Sequence, residues 1–389
     1  QRELRDVPGV TVLIYDQTCA AEKRRRRKRG TFPDPDKRVI INELVCEGCG
    51  DCGLKSNCVS IQPVETEFGR KRKIDQSSCN KDFSCTDGFC PSFVTVHGAR
   101  IRKTDTSVLK SAPDPLDGLP EPEIASLESG WASIIDGVGG TGVVTIGAIL
   151  GMAAHLEGKG CGMIDMAGLA QKGGAVFSHV RIARTPAEIQ AIRISAGKAD
   201  LILGCDLVVS GSRKVLTSVR EGETAFLVNT SEVMPGDFTR NADFSLPTER
   251  LKRAIVKAAG AEKTSFFNAT VAATRLFGNA IAANMFMLGM ASQKGALPLS
   301  PTSVEEAIRL NGQSVKMNIE AFRWGRKAAH DPASVEALVS DQHAEPKTKL
   351  EQTVADIIER RAEFLQDYQN RAWAAKYRDK LRPLVEAEE

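Results

Sequence analysis

Apolar residues in the second part of the chain fall into short runs separated by amphipathic stretches. Five of these runs predict strands, at Trp131–Asp136, Cys161–Met166, Ala175–Ile182, Leu201–Cys205 and Ala225–Val228. Between the first two, a glycine turn over Gly137–Gly142 precedes a helical pattern over Val143–Leu156. Strands that alternate with helical stretches are typical of a mostly parallel, doubly wound, Rossmann-like sheet, so an α/β fold is expected here.

The pattern after this region is mainly helical. Small and apolar residues over Val271–Met290 predict one buried helix. Ser303-Val-Glu-Glu306 has the residues of a capping box and predicts the start of a helix that runs to Leu310. A further helix is expected from Ser314 to Arg326, and the charged tail beyond it is also expected to be helical.

The first part of the chain has a different character. The β-branched run Val10–Tyr15 predicts a buried strand, and an unbroken run of cations follows at Lys23–Arg29. Short β segments and most of the cysteines lie in residues 39–103, which suggests a small α+β module. Residues 104–129 contain four prolines and few large apolar residues, so they predict an inter-domain linker.

Length, charge and hydropathy argue against several classes of protein for this chain, among them polycations, secreted proteins and membrane-spanning proteins. The 389 residues suffice for two or three domains, and the net charge of +3 is not that of a polycation that seeks nucleic acid. There is no signal peptide and no apolar run of about eighteen residues, so a cytoplasmic protein without a membrane span is expected. The chain begins with Gln1 and is expected to be a piece of a longer polypeptide or a processed product.

Seven of the ten cysteines lie between Cys46 and Cys90, which is too dense for the disulfide framework of a secreted protein. The first half of the cluster reads Cys46-x-x-Cys49-x-x-Cys52-x5-Cys58. Three cysteines at intervals of three bind one iron–sulfur cube, and the fourth cysteine of such a run ligates the other cluster. The spacing therefore predicts a two-cluster, ferredoxin-like module.

The second half of the cluster departs from the usual pattern. It reads Cys79-x5-Cys85-x4-Cys90-Pro91, and Asp82 stands where a cysteine is expected. In this respect it resembles ferredoxins in which an aspartate replaces one ligand, giving an Asp-ligated 4Fe–4S or a 3Fe–4S cluster. One 4Fe–4S cluster is assigned to Cys46, Cys49, Cys52 and Cys90. The second cluster is assigned to Cys58, Cys79, Cys85 and Asp82, with an ordinary loop role for Asp82 as the alternative.

Gly137-x-Gly139-Gly140-x-Gly142 follows a predicted strand and opens a predicted helix, which is the context of a dinucleotide fingerprint. Asp165 ends the next predicted strand, where a ribose-binding acid is expected. A bound phosphate group at the helix N-terminus, or merely close helix–strand packing, are the alternatives. The loop Gln171-Lys172-Gly173-Gly174 is a second candidate for lining a ligand crevice, with an ordinary surface turn as the alternative.

Other polar features have plainer interpretations. The basic run is interpreted as a solvated face, with steering of an acidic ferredoxin or nucleic-acid binding as alternatives. His155 and His179 are expected to be satisfied core histidines. Cys161 and Cys205 are expected to be small buried apolar residues.

The order of these motifs resembles the long, fused bacterial form of indolepyruvate ferredoxin oxidoreductase, in the 2-oxoacid:ferredoxin oxidoreductase family. The resemblance rests on motifs that occur in the same order along the chain. They are Val12–Tyr15 with Cys19-Ala and the basic run, Cys46–Cys52, Cys85–Pro91, Gly137–Gly142, Gln171–Gly174 with Ser178–Arg181, and Asn318–Phe322 with Gly325-Arg326. The resemblance implies five segments: the end of a thiamine-diphosphate domain with a basic linker (1–38), a ferredoxin-like domain (39–103), a linker (104–129), a Rossmann-like gamma domain (130–329) and a C-terminal helical segment (330–389).

The resemblance also implies a reaction. An aryl 2-oxoacid such as indolepyruvate is oxidatively decarboxylated on thiamine diphosphate and magnesium, and coenzyme A accepts the acyl group. The electrons leave singly through the iron–sulfur clusters to an external ferredoxin. No thiamine-diphosphate motif is visible, so the carbon chemistry is expected on upstream catalytic domains of the same polypeptide or of another chain. A homo-oligomer of large protomers is expected, with no membrane or nucleic-acid partner.

Two other functions stay open at this point. An NAD(P)H-linked iron–sulfur oxidoreductase subunit would need a flavin, for which no second fingerprint is visible. A zinc-dependent nucleic-acid-binding protein would use the basic run for binding, and seven cysteines are one ligand short of two four-ligand zinc sites.

Overall fold

The computed structural model describes residues 1–101, 109, 112–167, 174–340 and 353–388. The chain divides into two compact units. The first comprises residues 1–62 and 72–340, and the second comprises residues 63–71 and 341–389. None of the helices in the described ranges combines the length and the apolar character that crossing a membrane requires.

Ten strands occur in the described residues. In chain order they are β1 Lys37–Ile41, β2 Ile61–Thr66, β3 Gly69–Ile74, β4 Phe93–His97, β5 Trp131–Val138, β6 Gly160–Ala167, β7 Ala175–Ala183, β8 Leu201–Gly204, β9 Ala225–Asn229 and β10 Thr264–Phe267. All five predicted strands are therefore present, and β10 was not predicted. β1 pairs antiparallel with β4, and β2 pairs with β3.

The last six of these strands form one mixed sheet in the order β10-β9-β8-β5-β7-β6. The neighbours from β10 to β5 are parallel, whereas β7 is antiparallel to both β5 and β6. The mostly parallel sheet expected from the sequence is thus correct on one side of β5 and wrong on the other. Seven residues separate β6 from β7, too few for a parallel crossover, which needs about a dozen.

Fourteen helices lie in the described ranges. In chain order they are α1 Arg2–Arg5, α2 Ala20–Lys28, α3 Asp51–Ser56, α4 Val143–Leu156, α5 Leu207–Ser210, α6 Arg213–Leu216, α7 Thr248–Ala259, α8 Ala269–Phe277, α9 Ala283–Gln293, α10 Pro301–Asn311, α11 Val315–His330, α12 Pro332–Val339, α13 Val354–Tyr368 and α14 Arg371–Glu388.

The mixed sheet is buried on both faces, because successive residues of a strand point to opposite sides. Ile135 of β5 packs into a core that includes Ile146 of α4 and Phe286 of α9. Its neighbour Ile134 faces a second core that includes Ile255 of α7. The observed fold is therefore an α/β layer structure with helices on both faces of a mixed sheet.

The predicted single helix over Val271–Met290 is wrong. α8 ends at Phe277, because Gly278 adopts a left-handed conformation (φ 67°) and caps the helix. α9 then begins at Ala283 and is buried over almost its whole length.

Helices α9 and α11 approach each other through two glycines. A Cβ atom at Gly289 would lie 1.9 Å from the carbonyl oxygen of Phe322. A Cβ atom at Gly325 would lie 1.9 Å from the carbonyl oxygen of Phe286. The two backbones therefore pack at a distance that no side chain at either position allows.

The start of α10 differs from the capping-box prediction by one turn. Ser300, not Ser303, is the N-cap residue, and its Oγ accepts a 3.2 Å hydrogen bond from the Ser303 amide. Pro301 fills the first helical position, for which its fixed φ is suited. The helix predicted from Ser314 is present as α11, and it extends beyond Arg326 to His330.

Two further expectations for the first unit need correction. Residues 10–15 form no strand, and Val10 and Ile14 are 98% and 86% exposed. A strand needs a neighbour for its backbone hydrogen bonds, and an apolar run alone does not supply one. His155 on α4 is exposed rather than buried.

The predicted linker lacks helix and strand over residues 112–130, but it is not free. The Ala125 amide donates a 3.0 Å hydrogen bond to Leu297, and Leu127 packs against the main core. The segment therefore lies along the helical layer.

The second unit combines the tip of the β2–β3 hairpin with α13 and α14. Within it, Glu67 forms ion pairs with both Arg360 and Arg361. The Arg361 guanidinium also lies 4.6 Å from the ring centroid of Phe68. Arg378 of α14 is paired with Glu359 of α13 at 2.7 Å.

Candidate functional site

Four cysteines from distant parts of the module line one cavity. Cys46, Cys49, Cys52 and Cys90 surround a space of about 270 Å³, and Arg72 also lines it. Cys52 belongs to α3, whereas Cys90 lies just before β4. The structure thus brings together the four cysteines that the spacing assigns to the first cluster.

The remaining three cysteines form a second group with Asp82. Burial raises the pKa of the Cys85 thiol to about 12, and the charges of Cys58, Cys79 and Asp82 add to this. Burial also raises the pKa of the Cys79 thiol, which is further raised by Cys58 and Asp82. Cys58 and Cys85 both pack against the small core of Ile41, Cys46 and Ile61, so these members of the second predicted set lie in one part of the module.

The loops that follow Cys46 and Cys79 have the same backbone conformation. Gly48 and Gly50, the second and fourth residues after Cys46, have φ of 73° and 81°. The amide of Gly48 donates to the Cys46 Sγ at 3.4 Å. Cys46 therefore lies in a left-handed loop that turns an N–H group toward its sulfur.

Lys81 and Phe83 stand at the same offsets from Cys79, with φ of 53° and 62°. The Lys81 amide donates to the Cys79 Sγ, again at 3.4 Å. Non-glycine residues pay about 1–2 kcal/mol each in this conformation. The second half keeps the loop geometry of the first without its glycines.

Asp82 consequently occupies the loop position of Cys49, three residues after the first cysteine of each half. Its side chain is exposed, and Oδ1 accepts hydrogen bonds from the Ser84 amide (3.4 Å) and hydroxyl (3.2 Å). The loop holds the carboxylate near the second group without committing its other oxygen to a described residue.

Among the described residues, no group of three or more His, Cys, Asp or Glu side chains is arranged to hold a single metal ion. The four cysteines of the first group line the wall of one cavity.

Arg72 connects the cysteine groups to the mixed-sheet domain. Its side chain is 2% exposed, and Nη2 donates a 2.8 Å hydrogen bond to the Ala242 carbonyl. Burial raises the pKa of Cys52 to about 11, and the positive charge of Arg72 opposes this rise. A Cβ atom at Gly50 would lie 3.0 Å from the Ala242 Cβ, so this glycine also permits the contact.

The basic run forms helix α2, which the sequence analysis did not predict. Arg24 donates a 2.8 Å hydrogen bond to the Ser78 carbonyl, and Arg27 donates to the Asn80 carbonyl. These carbonyls flank Cys79. One side of the run therefore holds a cysteine loop, so the interpretation as a wholly solvated face is wrong, while Arg25, Arg26 and Arg29 are exposed.

The glycine loop follows β5 and opens α4, as predicted. A Cβ atom at Gly137 would lie 2.8 Å from Val143 Cγ2, so this glycine permits close strand–helix packing. Gly140 and Gly142 have φ of 85° and 96°. The Gly139 amide donates to the Gly174 carbonyl at 2.8 Å, whereas Gln171, Lys172 and Gly173 lie outside the described residues.

The structure does not support Asp165 as the ribose-binding acid of a dinucleotide site. Asp165 is in β6, and β7 lies between β6 and the strand that carries the glycine loop. The carboxylate of Asp165 accepts a hydrogen bond from Ser178 of β7 instead. The strand order therefore keeps this acid away from the place of a ribose-binding residue, and that expectation is wrong.

A buried acid directly before the loop was missed by the sequence analysis. Asp136 is fully buried, and its Oδ1 accepts a 2.7 Å hydrogen bond from the Ser210 hydroxyl. Its Oδ2 has no hydrogen-bond partner among the described residues. Burial raises the pKa of Asp136 well above its usual value, and nearby Asp206 raises it further. The sequence feature that could have identified Asp136 is the position of an acid at the end of an apolar predicted strand.

Comparison with known proteins assigns the mixed-sheet domain to a protein family. The sequence model of the family described as pyruvate ferredoxin/flavodoxin oxidoreductase matches residues 132–328, just over half of the chain. The chain belongs to this family. The match covers the mixed sheet with its helical layers, and the cysteine module lies outside it.

Individual relatives in the family are subunits of one kind of oxidoreductase. Indolepyruvate oxidoreductase subunit IorB of Methanothermobacter thermautotrophicus is 31% identical over 195 residues, which are 50% of this chain and 94% of that protein. The same subunit of Pyrococcus horikoshii is 30% identical over 200 residues, 51% of this chain and 95% of that protein. The family resemblance expected from the sequence is confirmed, and the chain is part of an oxidoreductase.

Solved structures of the family also match. The gamma subunit of a keto/oxoacid ferredoxin oxidoreductase from Geobacter sulfurreducens matches with a TM-score of 0.37 and 23% identity, over 51% of this chain and 98% of that one. The 2-oxoglutarate:ferredoxin oxidoreductase of Magnetococcus marinus matches with a TM-score of 0.38 and 16% identity, over 52% of this chain and 31% of that one.

Proposed function

We propose that this chain is the electron-transfer and gamma portion of a 2-oxoacid:ferredoxin oxidoreductase. The observation that carries the proposal is the grouping of the cysteines, with four around one cavity and three beside Asp82. In this proposal Cys46, Cys49, Cys52 and Cys90 ligate a 4Fe–4S cluster. Cys58, Cys79 and Cys85 ligate the second cluster, with Asp82 as its weak fourth ligand or with a 3Fe–4S core.

The small apolar core of the cysteine module supports bound clusters. Three buried residues form this core: Ile41, Cys46 and Ile61. A module with so little buried apolar surface needs cross-links, which bound clusters would supply.

The substrate is proposed to be indolepyruvate or a related aryl pyruvate, because the relatives with 30–31% identity are named indolepyruvate oxidoreductase subunits. The 2-oxoacid and coenzyme A would yield the acyl-CoA and CO2, with two electrons passed singly through the clusters to two ferredoxin molecules. Thiamine diphosphate and magnesium would be held by catalytic domains elsewhere on the polypeptide or on another chain.

The glycine loop and the Gln171–Gly174 segment are proposed to border the coenzyme A or thiamine site. The Gly139–Gly174 hydrogen bond places Gly174, the described end of this segment, beside the glycine loop at the N-terminal end of α4. A helix N-terminus favours a phosphate group. Titration of the complete enzyme with coenzyme A tests this, and weaker binding is expected when Gly139 is replaced by a bulky residue.

Metal and sulfide analysis with EPR, on protein purified without oxygen, tests the electron-transfer role. About seven to eight irons and a similar amount of sulfide per chain, with an EPR signal on reduction, are expected. Zinc without sulfide would refute the role and favour a zinc protein. In the complete enzyme, indolepyruvate should reduce the clusters faster than pyruvate, and the opposite order would refute the aryl substrate.

A further inference from the structure

A separate cavity lies on the sheet face opposite α4. It has a volume of about 240 Å³ and is bounded by β5, β7, the segment 193–196, helix α6 and the two residues that follow it, Thr217 and Ser218. It shares no lining residue with the cysteine groups or with the glycine loop. Nothing in the proposed electron transfer uses it.

The charges that line this cavity are positive. Arg193 and Lys214 both contribute to its wall, and no Asp or Glu is among the described residues that line it. Burial and the charge of Arg193 lower the pKa of Lys214, and no acidic neighbour offsets them. Two cations held together without a carboxylate create a positive potential that an anion would relieve.

Lys214 is an exposed residue whose ammonium group contacts an aromatic ring. Its Nζ lies 3.9 Å from the ring centroid of Phe177, which also lines the cavity. Such a cation–π contact fixes the ammonium group against the wall and leaves its N–H groups available as donors. The cavity therefore has a pre-positioned positive charge, which reduces the entropy lost on binding.

His179 adds a neutral donor to the same wall. Its Nδ1 accepts a 3.0 Å hydrogen bond from the Ile194 amide, and the side chain is 4% exposed. Burial lowers the pKa of His179 to about 4, and the cations Lys214, Arg193 and Arg181 lower it further. The neutral ring with Nδ1 as acceptor carries its proton on Nε2. The hydroxyls of Ser195 and Ser218 also line the cavity.

We propose that this cavity binds the phosphoryl group of a small metabolite. Arg193 and Lys214 provide two positive charges for a dianion, and His179 Nε2 and the hydroxyls provide neutral donors. A carboxylate would carry one charge, whereas a phosphate monoester carries nearly two at neutral pH and has three oxygens to accept hydrogen bonds. The volume of about 240 Å³ is sufficient for a phosphoryl group with a short organic body.

Calorimetric titration of the full chain with inorganic phosphate, at constant ionic strength, tests the proposal. Saturable binding at one site is expected, and Lys214→Gln should weaken it at least tenfold, the effect of losing one charge-assisted hydrogen bond. Arg213→Gln is the matched control, because Arg213 is the exposed neighbour on the same helix and does not line the cavity. It should leave the affinity within about twofold.

Several outcomes would overturn the proposal. Equal weakening by Lys214→Gln and Arg213→Gln would show a general charge effect, and the absence of saturable binding would show no site. Tighter binding of acetate or succinate than of phosphate would make the ligand a carboxylate. Arg193→Gln serves as a second variant if Lys214→Gln lowers the unfolding temperature. The iron and sulfide content should not change in any variant, so this test is independent of the proposed electron transfer.

Discussion

Arg72 Nη2 and the carbonyl oxygen of Ala242 are joined by a 2.8 Å hydrogen bond, although the two residues are 170 positions apart in sequence. The guanidinium is almost completely buried and also lines the cavity of the first cysteine group. A single cation thus contacts both the cavity lined by the first cysteine group and the domain that the family match covers. Its removal should affect both.

Arg72→Met is expected to lower the free energy of unfolding by about 2 kcal/mol, the usual value of a buried charge-assisted hydrogen bond. It should also shift the midpoint potential of the first cluster to a more negative value, because a nearby positive charge favours the reduced state. Thermal unfolding and an EPR-monitored redox titration measure the two effects.

Arg70→Met is the control for this change, because Arg70 is on the same hairpin and pairs with Glu65 at 2.5 Å. It should leave the potential unchanged. An unchanged potential in Arg72→Met as well would show that the role of Arg72 is confined to holding Ala242.

Asp82→Cys is expected to complete a four-cysteine set for the second cluster, because Asp82 has the loop position of Cys49. The iron content should rise to about eight per chain, and any 3Fe–4S signal of the oxidised wild type should disappear from the EPR spectrum. Asp82→Asn should leave or strengthen that signal. Identical spectra for all three proteins would assign Asp82 to the loop alone.

Gly289→Ala and Gly325→Ala are each expected to destabilise the chain by about 3 kcal/mol or to prevent folding, because the added methyl group would meet a backbone carbonyl of the facing helix. Urea denaturation measures the loss. Gly236 has open space around its Cβ position and an ordinary backbone conformation, so Gly236→Ala is the neutral control. A loss below about 1 kcal/mol in both helix variants would mean that α9 and α11 separate easily.

Glu157→Gln is expected to make stability less dependent on acid pH. Burial alone would raise the pKa of Glu157, but hydrogen bonds from Lys159, Ser303 and Ser300 outweigh it and lower the pKa to about 2. Because the folded pKa is below the unfolded one, this stabilisation is complete above about pH 4.5 and is lost as pH falls to about 2.

The wild type should therefore exceed Glu157→Gln in unfolding free energy by about 1 kcal/mol at neutral pH, with a gap that closes below about pH 4. Urea titrations of both proteins across this range measure the gap. A gap that stays constant with pH would rule out the carboxylate charge as its cause.

Arg24→Gln with Arg27→Gln is expected to destabilise the second cluster, seen as faster loss of iron on exposure to air, because these side chains hold the carbonyls that flank Cys79. Arg25→Gln with Arg29→Gln removes the same charge from the exposed side of α2. That pair should spare the cluster and reduce only the salt-dependent rate of electron transfer to ferredoxin. Equal iron loss in both pairs would contradict the holding role.

The strands of the mixed sheet could be predicted because they are buried on both faces and therefore read as continuous apolar runs. Their directions could not be predicted from the same runs, since β6 and β7 look alike as parallel or antiparallel strands. The seven-residue connection was the available signal for the hairpin. The run Val10–Tyr15 was wrongly predicted to be a strand, because an apolar run does not show whether a partner strand is available to pair with it.

For the site, the spacing pattern of two-cluster ferredoxins predicted that Cys46, Cys49, Cys52 and Cys90 would meet, and these four residues line one cavity although Cys90 is distant in sequence. The roles of Arg72 and Asp136 were not predictable in this way. Arg72 meets a partner 170 positions away, and Asp136 is distinguished by its burial rather than by its neighbours in sequence. The glycine loop was recognised, but only the strand order shows that Asp165 cannot accompany it.

The two cysteine loops share their backbone conformation although their residue types differ. Gly48 and Lys81 are left-handed at one matching position, and Gly50 and Phe83 are left-handed at the other. In both loops the residue three places after the first cysteine, Cys49 or Asp82, has the same position. Under the proposed function, a single replacement at this position would change the metal chemistry of one half while the chain path stays the same. The two halves would then hold electron carriers of different potential.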